Sequence, residues 1–179
     1  MAVILPFEKD FYEGCRIPVT FVGHPLLDQV PAGRPGAAPP LSGGLVVGLL
    51  PGSRNKEIER HLPLMLASAG RIAARLGRPV RFPVSLAPSV DRGRAAAMIA
   101  ARPRGVDAAL VDGGAEQVYR HCHLALAVSG TVTLEAALAC TPMVILYRVS
   151  PLSYRLGRRL IRVRHIGLVN LIAGREIVP

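Results

Sequence analysis

A chain of 179 residues, half of them hydrophobic, is long enough for one domain with a real core, and 4% aromatic content with no Trp suits a compact α/β unit rather than a disordered chain. Lys and Arg number 22 against 12 Asp and Glu, a formal charge of +10, which favours an acidic partner: nucleic acid, a phosphorylated ligand or an anionic membrane. No apolar run is long enough to span a bilayer, and Met1-Ala2-Val3-Ile4-Leu5 passes at once into Pro6-Phe7-Glu8-Lys9-Asp10, which is not a signal peptide. Cytoplasmic residence is the default expectation. Cys15, Cys122 and Cys140 are scattered and none sits in a CxxC pair, so neither a zinc site nor a disulfide framework is indicated. His121-Cys122-His123 has a metal-like look, but neighbouring side chains point in different directions, so the triplet reads as a buried thiol between two partly exposed imidazoles.

Residues 1–30 do not read as a complete unit: an apolar, strand-like start leads through Pro6-Phe7-Glu8 to Val19-Thr20-Phe21-Val22-Gly23-His24-Pro25. Residues 31–44 are rich in Pro, Gly and Ala and read as a linker. A regular alternation follows, with strands expected near 45–50, 79–84, 107–111, 124–128 and 143–147 and helices near 56–76, 89–101, 115–121, 131–139 and 151–162. Short apolar strands alternating with helices define an α/β fold with a Rossmann-like, doubly wound, mostly parallel sheet. Ligands of such sheets sit at the carboxyl ends of the strands, so the turns after the strands are where chemistry is sought. There is no GxxxxGK[ST] phosphate loop, no GxGxxG, and Ser129 is not in a GxSxG elbow.

Two turns carry site-like chemistry. In Leu50-Pro51-Gly52-Ser53-Arg54-Asn55-Lys56-Glu57, a buried strand stops at Pro51-Gly52 and a helix begins. Unpaired N–H groups and the helix dipole favour an anion there. Gly52 lets backbone approach closely, Ser53 can cap the helix, and Arg54 adds a forked cation suited to phosphate. A capped βα turn with a surface arginine reads the same residues equally well. The second turn, Ser129-Gly130-Thr131, follows the strand Leu124–Val128 and precedes a helix expected to carry Glu135 in its first turn. Ser129 and Thr131 can cap that helix and offer hydroxyls, while Glu135 either accepts from vicinal sugar hydroxyls or complements the helix dipole. Together the turns fit a nucleotide cleft, one supplying positive charge for a diphosphate and the other hydroxyls and a carboxylate for a ribose. Farther on, Arg155, Arg158, Arg159 and Arg162 fall on one helical face, either a solvated face or a grip on an anionic membrane or phosphorylated head groups.

Pro6-Phe7-Glu8, Phe21-Val22-Gly23-His24-Pro25-Leu26, Leu50-Pro51-Gly52-Ser53-Arg54, Ser129-Gly130-Thr131 with Leu134-Glu135, Pro142-Met143-Val144 and Asn170-Leu171-Ile172-Ala173-Gly174-Arg175 occur in an order that resembles the carboxyl-terminal half of lipid-A-disaccharide synthases. The resemblance implies the donor-binding half of a two-domain GT-B glycosyltransferase. Residues 1–30 would then end the acceptor-domain portion, and 45–179 would form the UDP-sugar-binding domain. The family joins UDP-2,3-diacylglucosamine to 2,3-diacylglucosamine 1-phosphate (lipid X), forming a β-1,6 disaccharide and UDP at the cytoplasmic face of the inner membrane. Both acylated substrates, and an anionic membrane surface, are therefore implied partners. A homodimer is a further expectation; nucleic acid, metal and cofactor are not expected.

Residue by residue, the resemblance places Arg54 at the donor diphosphate with Gly52 and Ser53 as backbone donors, Asn170 also on UDP, and Glu135 at the ribose beside Ser129, Gly130 and Thr131. His24 takes a structural role. No catalytic residue is assigned: the general base is expected in an amino-terminal domain this chain lacks, and neither Glu57, Glu116 nor Glu135 has a better claim. Val169 stands where the family usually has Pro. The expectation is therefore a fragment that binds UDP weakly without turning over alone. The rival readings are another UDP-sugar enzyme of the same architecture (an epimerase, or the N-acetylglucosaminyltransferase of peptidoglycan synthesis) and a basic nucleic-acid-binding module. Few aromatics and no reader motif speak against the latter.

Overall fold

The computed structural model describes residues 1–29, 43–149 and 167–179. The linker read over 31–44 lies almost wholly outside the described residues, as do the helix read over 151–162 and Arg155, Arg158, Arg159 and Arg162.

The amino-terminal segment folds as β1 (Ala2–Val3), α1 (Pro6–Gly14), β2 (Thr20–Phe21) and α2 (Leu26–Gln29), with β1 and β2 paired in a separate two-stranded parallel sheet. Pro6 opens α1, where its missing N–H leaves no gap, and Glu8 reaches back to accept from the Ile4 and Leu5 amides. The main unit runs β3 (Leu45–Leu50), α3 (Asn55–Leu76), β4 (Val80–Ser85), α4 (Arg92–Ala100), β5 (Asp107–Val111), α5 (Gly114–Tyr119), β6 (Leu124–Val128), α6 (Thr131–Leu138) and β7 (Met143–Leu146), followed by α7 (Leu168–Ala173). Its five strands are all parallel, in the order β5-β4-β3-β6-β7. The expected Rossmann-like, doubly wound sheet is thus present.

Period-2 side-chain geometry divides the core between the two faces. From β3, Val47 and Leu49 join Phe82 and Val84 of β4 under α3, while Val46 and Leu50 join Val118 of α5, Ala125 and Ala127 of β6 and Ala136 of α6. Because both faces are covered, β3 and β6 read as near-continuous apolar runs. The buried stripe of α3 is Ile58, His61, Leu62, Met65, Leu66 and Ala69, the spacing of one helical face. Pro63 falls on the exposed side of that helix, and Gly77 ends it in the left-handed conformation with φ 60°.

Two histidines serve the packing. His123 closes the entrance of β3: its backbone N–H donates to the Val46 carbonyl at 2.9 Å, and its Nδ1 accepts from the Val46 N–H at 3.0 Å. His61, buried on α3, accepts the Arg148 N–H at Nε2 and stacks on Tyr147 with centroids 5.5 Å apart. Cys122 is buried with its thiol toward the Tyr119 carbonyl, His121 is exposed and His123 half-buried, so the three neighbouring side chains diverge as their spacing requires. His24 is structural too, its Nδ1 accepting the Leu26 N–H at the start of α2.

Gly48, midway along β3, lies close against α5 and the Cys122 that follows it. A Cβ there would lie 2.7 Å from Val118 Cγ1 and 3.0 Å from Cys122 Sγ. Gly48→Ala is therefore expected to destabilise the fold by about 1–3 kcal/mol through overpacking, seen as a melting-temperature fall of roughly 3–10 °C. An unchanged melt would show that α5 moves aside freely.

Candidate functional site

The strand order explains where a site can form. From β3 the chain winds outward through β4 to β5, then returns to place β6 on the other side of β3. The loops after β3 and β6 therefore diverge from neighbouring strands whose ends are in register, Leu50 opposite Ala127. A crevice at such a switch point is the general ligand position of open α/β sheets. Here it is a cleft of about 550 Å3, within the range of small-molecule sites, and its lining includes Gly52, Ser53, Arg54, Glu57, Ser129, Gly130, Thr131 and Glu135. Ser85 at the end of β4, Ala87 just beyond it, Ala115 of α5 and Leu168 of α7 also line the wall.

On the β3 side, the turn is built around Gly52, whose φ of +116° is one that L side chains rarely adopt. The residue preceding α3 is Arg54, and no side chain caps the helix. The cap expected from Ser53 is not made. Instead the Ser53 N–H donates to Glu57 Oε2 at 2.9 Å, and Arg54 Nη1 donates to Glu57 Oε1 at 2.8 Å. The turn is braced from β4's side, where Ser89 Oγ donates to the Ser53 carbonyl and the Asp91 N–H donates to Asn55 Oδ1. The Arg54 side chain is 79% exposed, so its charge is available at the rim.

On the β6 side, Gly130 occupies the N-cap of α6 in extended backbone, φ 174°, without a side-chain cap. Neither Ser129 nor Thr131 caps the helix as their types led one to expect. The Thr133 hydroxyl donates to the Gly130 carbonyl at 2.7 Å. Glu135 is the fifth residue of α6, in its second turn rather than its first, because the helix begins at Thr131. Its side chain still reaches the cleft. Burial, and secondarily the charge of Glu116, raise its pKa above the ordinary carboxyl value.

A carboxyl group with a raised folded-state pKa favours the fold below its unfolded value, and that contribution is lost as pH rises through the folded value. At neutral pH that contribution is gone, and Glu135 is a burden on the fold. Glu135→Gln is expected to raise the melting temperature at pH 7 by about 1–3 °C, a gain that vanishes below the ordinary carboxyl value of 4.5. A lower melting temperature at pH 7 would contradict this.

Asn170 is not among the cleft-lining residues. It is 4% exposed, its Oδ1 accepting the Ile177 and Val178 amides at 3.0 Å each and its Nδ2 donating to the Val178 carbonyl at 2.8 Å. The Ile145 N–H in turn donates to the Pro179 carbonyl at 2.7 Å, so Asn170 helps lay residues 177–179 alongside β7. What α7 brings to the cleft is Leu168, just after Gly167. Sequence reasoning passed over Leu168 and gave Glu57 no place in the anion site. The signal for Glu57 was its position three residues after Arg54, where a glutamate folds back on a helix start. Among the described residues, no group of three His, Cys, Asp or Glu side chains could hold a metal ion, and no helix is long and apolar enough to cross a membrane.

A five-stranded parallel sheet with its cleft at the switch point defines a Rossmann-like domain of the kind that forms the donor half of GT-B glycosyltransferases. The family is shown by comparison: the model for lipid-A-disaccharide synthetase matches residues 1–179, and the chain belongs to that family. It is 46% identical over 184 residues to a lipid-A-disaccharide synthase of Geobacter sulfurreducens, covering 100% of this chain and 47% of the relative. The proteins of the same name from Syntrophus aciditrophicus and Azotobacter vinelandii are 45% and 41% identical, each again over 100% of this chain and 48% of the relative. The chain spans about half the length of the curated relatives it matches.

Proposed function

We propose that this chain is the UDP-sugar-binding half of a lipid-A-disaccharide-forming glycosyltransferase. The observation that carries the reading is the convergence of the Gly52–Arg54 and Ser129–Thr131 turns, with Glu135, on one cleft at the carboxyl ends of β3 and β6. The family and its relatives' names support the chemistry: transfer of 2,3-diacylglucosamine from its UDP derivative to the 6-hydroxyl of 2,3-diacylglucosamine 1-phosphate. The anomeric centre inverts, the β-1,6 bond forms, and UDP leaves.

This chain's share of that reaction is binding and leaving-group stabilisation. As the glycosidic C–O bond breaks, negative charge grows on the diphosphate. Arg54 and the start of α3 present donors aimed at that charge, fixed before the reaction by the brace from Ser89 and Asp91. Glu135 and the hydroxyls of Ser129 and Thr131 are assigned to the ribose. The base that takes the acceptor's proton is assigned to the portion of the longer relatives that this chain does not cover. Arg155, Arg158, Arg159 and Arg162 are assigned to an anionic inner-membrane surface at its cytoplasmic face, where both acylated substrates reside.

Calorimetric titration of the 179-residue chain with UDP tests the reading. Saturable binding that a non-nucleotide diphosphate does not reproduce is the expected result. A folded chain that binds no UDP, or binds RNA in preference at moderate salt, would overturn it.

A further inference from the structure

The anion cradle at the start of α3 already holds an anion of the chain's own. Glu57 accepts from the Ser53 amide and the Arg54 guanidinium together, at 2.9 and 2.8 Å. These are the two donors that the UDP reading gives to the diphosphate. The Glu57 side chain is 23% exposed and lines the same cleft. Gly52 makes its place: a Cβ on Gly52 would stand 2.6 Å from Glu57 Oε2. Burial pushes the carboxyl pKa up, but the Ser53 amide and Arg54 outweigh it and hold the group below its ordinary value, so it is ionised at neutral pH.

Of the two sides of the contact between Glu57 and the Ser53 amide, the carboxylate is the one free to leave. The Ser53 carbonyl and the Asn55 side chain are tied to Ser89 and Asp91, which fixes the turn. Glu57 hangs on three rotatable side-chain bonds. An incoming phosphate repels it at short range and offers more oxygen acceptors to the same donors.

We propose that Glu57 is a resident anion that a nucleoside diphosphate displaces from the Ser53 amide and Arg54, and that it makes the cradle selective for diphosphates over single phosphates. The inference rests on the reading of the cleft as a UDP site. A single phosphate that evicts Glu57 exchanges one anion for another. A diphosphate can replace both bonds from one group while the second meets the rest of the helix start.

The test is calorimetry of the 179-residue chain and its Glu57→Gln variant with UDP, UMP and inorganic phosphate, with circular dichroism to verify the fold. Gln keeps the size and an acceptor for Ser53 but removes the competing charge. Affinity for UMP and phosphate is expected to rise at least about fivefold in the variant, with a smaller gain for UDP, so that discrimination narrows. Equal or weaker binding by a folded variant overturns the proposal and makes Glu57 a brace for Arg54. A crystal structure of the unmutated chain with UDP tests displacement independently of the variant. Separation of Glu57 from the Ser53 amide beyond about 4 Å supports it, and a retained bond overturns it. UDP binding that is lost in Arg54→Ala keeps the cleft reading standing even if Glu57 stays in place, whereas absence of UDP binding in the unmutated chain ends both.

Discussion

Arg54→Ala is expected to lower the affinity of the chain for UDP by roughly 10- to 100-fold while leaving its melting temperature within about 2 °C of the parent. The two halves of that expectation have different causes. Among the described residues Arg54 makes one ion pair, with Glu57 three residues away, and its side chain is 79% exposed. Exposed pairs of this kind contribute about 0–1 kcal/mol, and after truncation Glu57 keeps the Ser53 amide. The fold therefore has little to lose. A phosphate held at the helix start loses much more, because a charge-assisted bond to a guanidinium is worth about 1.5–3 kcal/mol once partly withdrawn from water. Arg54→Lys should recover part of the affinity, since it restores the charge without the fork that grips two oxygens at once. Calorimetry and thermal melts of the three proteins check both halves. Unchanged affinity in the alanine variant would remove Arg54 from the donor site.

The strands were the legible part of the fold, for a physical reason. A strand buried on both faces cannot carry polar residues, so the central Leu45–Leu50 and Leu124–Val128 stand out with the boundaries that periodicity and flanking turns imply, while the edge strand Asp107–Val111 is marked by its short apolar run between turns. Helix starts were less legible because capping is settled by competition among nearby groups. Ser53 is a good cap by type, yet its amide is engaged by Glu57, and the residue at the cap is Arg54. Gly130 likewise takes the cap from Ser129 and Thr131, although α6 begins at Thr131 as the pattern implies. In the amino-terminal segment α1 was missed, its nine residues containing no buried position to mark a period.

Site residues divided along the same line. The residues of the two turns could be picked out one turn at a time, since strand-turn-helix is a local pattern. That the turns face each other depends on β6 lying beside β3 across a separation of more than seventy residues, which no local pattern encodes. Asn170 shows the opposite case: an asparagine in a recognisable segment whose side chain is committed to Ile177 and Val178, contacts invisible before the chain folds back.

Two glycines line the cleft, and their substitution should separate backbone need from ligand need. Gly52 has φ +116°, and a Cβ there would lie 2.6 Å from Glu57 Oε2 and 2.8 Å from Glu57 Cβ. The carboxylate can rotate away, but the Cβ belongs to the first turn of α3 and moves only with the helix. Gly52→Ala therefore combines backbone strain of about 1–3 kcal/mol with a displaced helix start. It should lower the melting temperature by roughly 3–10 °C and reduce UDP affinity more than tenfold. Gly130 is extended at φ 174°, and a Cβ there meets none of the described residues within 4 Å. Gly130→Ala should melt within about 2 °C of the parent, because any residue adopts that backbone and the methyl enters open space. Gly130 lines the cleft, so UDP seated against the turn is expected to meet the methyl, and binding should weaken without loss of stability. If Gly130→Ala binds UDP as tightly as the parent while Gly52→Ala does not, the nucleotide lies against the α3 side of the cleft alone, and the ribose assignment to Ser129, Thr131 and Glu135 falls with that result.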